Sequence, residues 1–178
     1  MADGRTCGSC TLCCKVMGIE ELAKPQGRWC PHCLPGRGCK IYDERPPSCR
    51  IYSCTWLTSP AFVPEALKPD RTKVILGLDM GGSRLVAHVD VDNPLAWRRE
   101  PMLSFLRGQA QRSGGGWHVV VRLLDHTWLI APEGAYDMGS VPPGAPYSID
   151  HIGGGRKLTV TRTPGGAPET LLMAPAPL

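Results

Sequence analysis

Cys7-Gly-Ser-Cys10-Thr-Leu-Cys13-Cys14 places four cysteines within eight positions near the start of the chain. Five more follow as Cys30-x-x-Cys33, Cys39, Cys49 and Cys54, and none occurs after them. Nine thiols gathered at one end of a 178-residue chain need a common purpose, either disulfide bonding or metal coordination. Nine is an odd number, so complete internal pairing is impossible. Residues 1–7 hold no apolar run of the kind that opens a secretory leader. No stretch offers the ~18 apolar residues that span a bilayer. The expectation is a cytoplasmic chain with no membrane association, whose thiols stay reduced and bind metal.

Spacing supports metal. A Cys-x-x-Cys turn brings two sulfurs close enough to share one ion at a Zn–S distance of roughly 2.3 Å. Cys7/Cys10, Cys10/Cys13 and Cys30/Cys33 supply three such steps, with Cys39, Cys49 and Cys54 within reach. Adjacent side chains are expected to diverge, so Cys13 and Cys14 should not chelate the same ion. One of them faces a second ion, bridges two ions, or packs as a small apolar group. More than one ion is therefore expected. Two four-sulfur zinc sites with one thiol over, an iron–sulfur cluster plus zinc, and a bridged centre all fit the spacing.

The ordered set Cys7-x-x-Cys10-x-x-Cys13-Cys14, Ile19-Glu-Glu-Leu22, Cys30, Gly38-Cys39-Lys-Ile41-Tyr42 and Arg45-Pro46-Pro-Ser-Cys49-Arg50-Ile-Tyr52 resembles the CxxCxxCC family. These are YkgJ-like cysteine cluster proteins, regarded as zinc- or iron-chelating domains. The resemblance covers about a third of the chain. It implies a cysteine-ligated metal, leaves zinc, iron and an iron–sulfur cluster open, and says little about a reaction; zinc is placed ahead because a loop-rich segment needs a structural bond. Cys33 and Cys54 fall outside that pattern and read either as extra ligands or as ordinary thiols.

A four-thiolate site around a divalent ion carries net negative charge. Lys15, Arg28, Arg37, Lys40, Arg45 and Arg50 are interleaved with the thiols as candidate counter-charges. Given that role, a net charge of +4 argues little for nucleic acid as a partner. No run of five or six like charges occurs, and no His-x₃₋₅-His pair exists to complete a Cys2His2 finger. The implied partners are metal ions and, in an adaptor role, another protein. His32, in the middle of a chelating turn, reads as solvated rather than ligating. Tyr42 and Tyr52 read as covers over the site.

The expected fold class is α+β, with a loop-rich cysteine segment (1–57) packed on a small antiparallel sheet carrying one or two helices. A loop-rich segment below ~60 residues rarely buries enough core to hold itself, and metal is the usual remedy. Residues 58–71 read as a linker, 72–163 as the sheet part and 164–178 as a flexible tail. Alternation and turn residues predict strands at 72–79 (TKVILGLD), 84–92 (RLVAHVDVD), 117–123 (WHVVVRL), 127–131 (TWLIA), 147–152 and 157–163. Asn93-Pro94 reads as the start of helices over 95–100 and 101–111, which Ser113 to Gly116 ends.

No catalytic motif emerges. His88, Asp90 and Asp92 share one strand face, but the simpler reading is a wet polar face opposite Leu85, Ala87, Val89 and Val91. Gly81-Gly82, Gly114 to Gly116 and Gly153 to Gly155 match no phosphate-binding loop and read as hairpin turns. Trp97, Trp117 and Trp128 read as core. Three functions remain open: a structural metal site supporting a binding or adaptor module, an iron–sulfur protein in electron transfer or redox enzymology, and metal storage, delivery or sensing.

Overall fold

The structure is a computed structural model that describes residues 4–112, 117–142, 145–152, 155–163 and 165–178. The helix stop expected at Ser113 to Gly116 and the turn at Gly153-Gly154 lie outside the described residues. Among the described residues no helix is long and apolar enough to cross a membrane.

Cysteine-bearing segments come first and are short: α1 (Cys13–Val16), β1 (Cys33–Leu34), β2 (Gly38–Cys39), α2 (Pro47–Ile51), α3 (Thr55–Thr58) and α4 (Pro69–Thr72). Pro46, Pro47 and four glycines between Cys14 and Cys39 keep any element here from running further. Regular structure begins at β3 (Val74–Asp79) and continues through β4 (Arg84–Val89), α5 (Met102–Gln111), β5 (His118–Leu123), β6 (His126–Ala131) and β7 (Gly134–Ser140). It ends with β8 (Tyr147–Ile152), β9 (Gly155–Val160) and β10 (Glu169–Met173). The fold is α+β, with short helices and three mostly antiparallel sheets among the described residues.

The five-stranded sheet runs β3-β4-β5-β6-β7. Both expected hairpins form, β3 with β4 and β5 with β6. Between them β4 and β5 pair in parallel, because α5 intervenes and returns the chain to the same end of the sheet. Residues 90–92 lie beyond β4. Asn93 starts no helix; its amide donates to Asp90 at 2.9 Å, and only a single 3₁₀ turn, Ala96–Arg98, follows before α5.

Two layers cover the sheet. On one face Leu76, Leu85, Ala87, Val119, Val121 and Ile130 pack against Trp97, Met102, Leu106 and Ala110 around α5. On the other, Val86, Val120, Leu129, Tyr136 and Met138 meet Leu158, Val160 and Met173 of a separate sheet ordered β10-β9-β8. The second face of β4 is thus dry at Val86, not the wet face expected. Trp97 is buried, and Trp117 and Trp128 are packed against the same core, as read from sequence. The tail is also ordered differently from expectation. Glu169–Met173 pairs with β9, and Ala176 exchanges backbone hydrogen bonds with Ala135 of β7. That approach needs Gly134, where an added Cβ would lie 2.6 Å from the Ala176 carbonyl oxygen.

Residues 58–71 are more than a connector. Val63 and Leu67 are buried in the helix-side core with Trp56. Arg5 donates at 2.8 Å to the carbonyls of both Trp56 and Val63. The cysteine segment docks on edge strand β3, where Leu12 and Val16 of the α1 region pack on Ile75. Beside them the Lys15 ammonium bonds Asp90 and Asp92. Lys15 and Asp90 are only 5% and 6% exposed, whereas Asp92 is 72% exposed. Lys15→Met is expected to cost about 3–5 kcal/mol, because it strands a buried Asp90 carboxylate. Asp90→Asn should cost less, since Asp92 still meets the ammonium. Denaturant unfolding of the two variants and the parent checks the order.

His88 and Asp90 do not share a polar surface. His88 stands opposite Ile75 and beside Arg122 on the sheet-covered face. Burial, then the Arg122 charge, pushes its pKa down to about 4. A histidine kept neutral in the fold but protonated in the unfolded chain contributes stability above pH 6.5, and this is lost as pH falls toward 4. At roughly 1.4 kcal/mol per unit the loss approaches about 3 kcal/mol. His88→Gln should flatten that part of the stability–pH curve in urea denaturation run between pH 7 and 4.

Candidate metal centre

All nine cysteines are free thiols. Eight of them, Cys7, Cys10, Cys13, Cys14, Cys30, Cys33, Cys39 and Cys49, line one cavity of about 290 Å³. The ninth, Cys54, lines an adjoining cavity of about 50 Å³ together with Cys7, Cys10 and Cys13. Every sequence-predicted ligand therefore belongs to one continuous region, Cys33 and Cys54 included.

Backbone turns set these positions. Cys10 N–H donates to the Cys7 carbonyl at 2.9 Å, and Cys33 N–H to the Cys30 carbonyl at 3.0 Å. Cys7/Cys10 and Cys30/Cys33 are thus closed turns. Cys30 N–H also reaches the Cys14 carbonyl at 2.9 Å, which fastens the second turn to α1. Cys33 and Cys39 face each other across the β1–β2 ladder. Directly opposed residues carry their side chains on the same side of such a ladder. Cys49 comes from α2, held by Glu21, whose carboxylate accepts from the Ser48 N–H at 3.0 Å and hydroxyl at 2.7 Å. Cys54 immediately precedes α3.

The thiols interact with one another. Cys33 neighbours the Thr11 hydroxyl and Cys14, and Cys14 neighbours Cys13. The interaction between the two neighbouring thiols holds Cys13 below its ordinary range and pushes Cys14 far up. Cys13 and Cys14 are therefore in contact, where divergence was expected. Burial, followed by Cys14, pushes Cys33 up to about 11. Burial also raises Cys10, Cys49 and Cys54. Left alone, most of these thiols stay protonated. A soft cation would compete with those protons for the sulfurs.

An all-sulfur donor set suits zinc, iron–sulfur clusters and other soft metals. The side chains as they stand do not form a ligand shell, since among the described residues no three Cys, His, Asp or Glu groups are placed to hold an ion. The donor chemistry and the shared cavity fit a metal; the sulfurs would have to close inward around it.

Counter-charge comes from an unexpected residue. Lys15 turns away to Asp90, and Arg28, Arg37, Lys40 and Arg50 are exposed. Arg45 lines the cavity wall and stacks on Tyr42 with its guanidinium carbon 3.6 Å from the ring centre. The buried cation is Lys24. Its ammonium donates to the Lys15 carbonyl at 3.0 Å and to the Met17 carbonyl, facing Cys30, Cys14, Cys13 and Cys49. Nothing in the local pattern around Lys24 signals this, because the residue is brought in by the Ile19–Lys24 bridge. His32 is half-buried and does not line the cavity. Tyr52 lines both cavities with its hydroxyl buried and without a hydrogen bond, whereas Tyr42 is largely exposed at the rim.

No family model, curated protein or solved structure matches the chain.

Lys24→Met should leave the Lys15 and Met17 carbonyls without their donor, at a cost of about 1–3 kcal/mol. Hydrogen exchange followed by mass spectrometry is expected to show faster exchange over residues 12–30 and unchanged protection in β4 to β7.

Proposed function

We propose that the chain is a metal-binding protein whose cysteine-lined cavity holds zinc, mainly to stabilise residues 4–57 as part of a binding or adaptor module. The observation that carries this reading is the gathering of eight of nine thiols around one cavity, with the ninth in the cavity beside it. The motif order shared with the CxxCxxCC family supports it.

A structural role fits the poverty of the surrounding core. The two small clusters here contribute only Leu12, Val16 and Ile75, and Ile19, Cys30 and Cys33, as buried residues. Their strands are two residues long and their helices four or five. Such a segment needs a bond that propensity and burial do not supply, and a thiolate-bound ion is one. A cytoplasmic location belongs to the same reading, since reducing conditions keep thiols available to metal.

One observation favours an iron–sulfur cluster as a second reading. Four sulfurs at roughly 2.3 Å from one zinc would be in mutual contact, whereas a cavity of about 290 Å³ offers space for several atoms. Protein purified anaerobically and analysed for zinc, iron and visible absorption separates the two. Zinc in stoichiometric amount without colour is expected. A sulfide-to-iron charge-transfer band would move the assignment to iron–sulfur, and protein without either metal that also fails to take up zinc would overturn metal binding. Removing the metal with a chelator should abolish exchange protection over residues 4–57 while the five-stranded sheet keeps its own.

A further inference from the structure

Eight of the nine thiols divide into two sets that repeat one pattern. Cys10, Cys13 and Cys54 pack with Leu12, Val16, Ile75 and Tyr52, and the smaller cavity adds Cys7 to them. Cys14 and Cys49 pack with the buried Cys30, Cys33 and Ile19. The first set contains a closed Cys-x-x-Cys turn, Cys7/Cys10, one cysteine of α1, and Cys54 from the segment before α3. The second contains a closed Cys-x-x-Cys turn, Cys30/Cys33, the other cysteine of α1, and Cys49 from α2. Cys39 is packed in neither set, although it lines the larger cavity opposite Cys33.

Resting on the metal-binding reading, we infer that the protein carries two abutting four-thiolate centres, Cys7/Cys10/Cys13/Cys54 and Cys14/Cys30/Cys33/Cys49, with Cys39 as a ninth thiol outside both. Four thiolates complete a tetrahedral site, and two completed sites account for eight sulfurs. Adjacency of Cys13 and Cys14 then has a reason. One turn of helix supplies a ligand to each centre, and the contact between the two thiols marks where the centres meet. Lys24 faces Cys30, Cys14 and Cys49 of the second set and Cys13 of the first, and supplies a positive charge where the two centres meet. The division assigns ligand roles to Cys33 and Cys54, the two cysteines that lie outside the motif order of the CxxCxxCC family.

Reduced, metal-free full-length protein titrated with zinc(II) and followed by native mass spectrometry tests this, with iodoacetamide labelling mapped by peptide mass at each step. Two zinc ions are expected at saturation, with Cys39 alone alkylated. Cys54→Ser and Cys33→Ser should each fall to one ion while the thiols of the other set stay protected, and Cys39→Ser should keep two. The labelling map of the unsubstituted protein, as purified anaerobically and after zinc loading, stands even if a serine variant fails to fold. Saturation at one centre, protection of Cys39 together with exposure of Cys33 or Cys54, or loss of both ions in Cys39→Ser would overturn the division while leaving metal binding intact. No bound zinc and no protected thiol in either preparation would overturn the metal reading itself.

Discussion

Lys15 sits between two bodies that have little else in common. Its backbone belongs to α1, one residue beyond Cys14, and its ammonium is buried against Asp90 just past the end of β4. Burying two charges is costly, and their attraction repays that only with good geometry and further hydrogen bonds. Asp90 has both. It accepts from Lys15 and from the Asn93 amide at 2.9 Å, which holds its carboxyl below the ordinary range against the opposing effect of burial. A hydrophobic contact could be met by many arrangements of α1 on the sheet. A buried ammonium with a single buried acceptor admits few, so the pair fixes the orientation of the helix that carries Cys13 and Cys14.

The remaining ties to the sheet act on the flanks of that pair. Ile75 receives Leu12 and Val16 on one side, while Trp56, Val63 and Leu67 enter the helix-side core on the other. The cysteine segment thus wraps the β3 edge, which would otherwise expose an unpaired row of backbone groups. Within the segment the order reverses: thiols occupy the positions that apolar side chains take elsewhere. Cys30 and Cys33 are among its few buried residues, and each lies in a turn closed by one backbone hydrogen bond.

How much of this was legible depended on the range of the interaction. The thiols, the two hairpins and α5 are local patterns, carried by spacing, alternation and helical periodicity. The parallel pairing of β4 with β5 is set by where the crossover lands, and no property of either strand announces it. β7 was not anticipated because Gly134, Asp137, Gly139 and Ser140 dilute its apolar content, although Tyr136 and Met138 are fully buried. β10 lies in a stretch of proline, glycine and alanine that reads as mobile. It is ordered by β9 and by the Ala135–Ala176 bridge, both non-local. At the candidate centre the donors were visible by type, but Lys24 and the contact between Cys13 and Cys14 were not. Counter-charge was sought among Lys15, Arg28, Arg37, Lys40, Arg45 and Arg50, and only packing shows that Lys24 is the buried cation facing the thiols.

The adjacency of Cys13 and Cys14 links the two halves of the molecule. Two thiolate centres meeting at one helical turn would repel each other, since each divalent ion bound by four thiolates carries net negative charge. Lys24 faces three thiols of the second set and Cys13 of the first, and its ammonium is held by the carbonyls of Lys15 and Met17 at the end of the same helix. Lys15, in turn, is locked to Asp90. One short helix of four residues therefore joins the thiols, their buried cation and the sheet. A helix so short has almost no stability of its own. Its conformation is imposed from outside, by the ion pair on one face and by the packing of its thiols on the other. On the metal-binding reading, an empty site would leave the orientation of the helix to the Lys15–Asp90 pair.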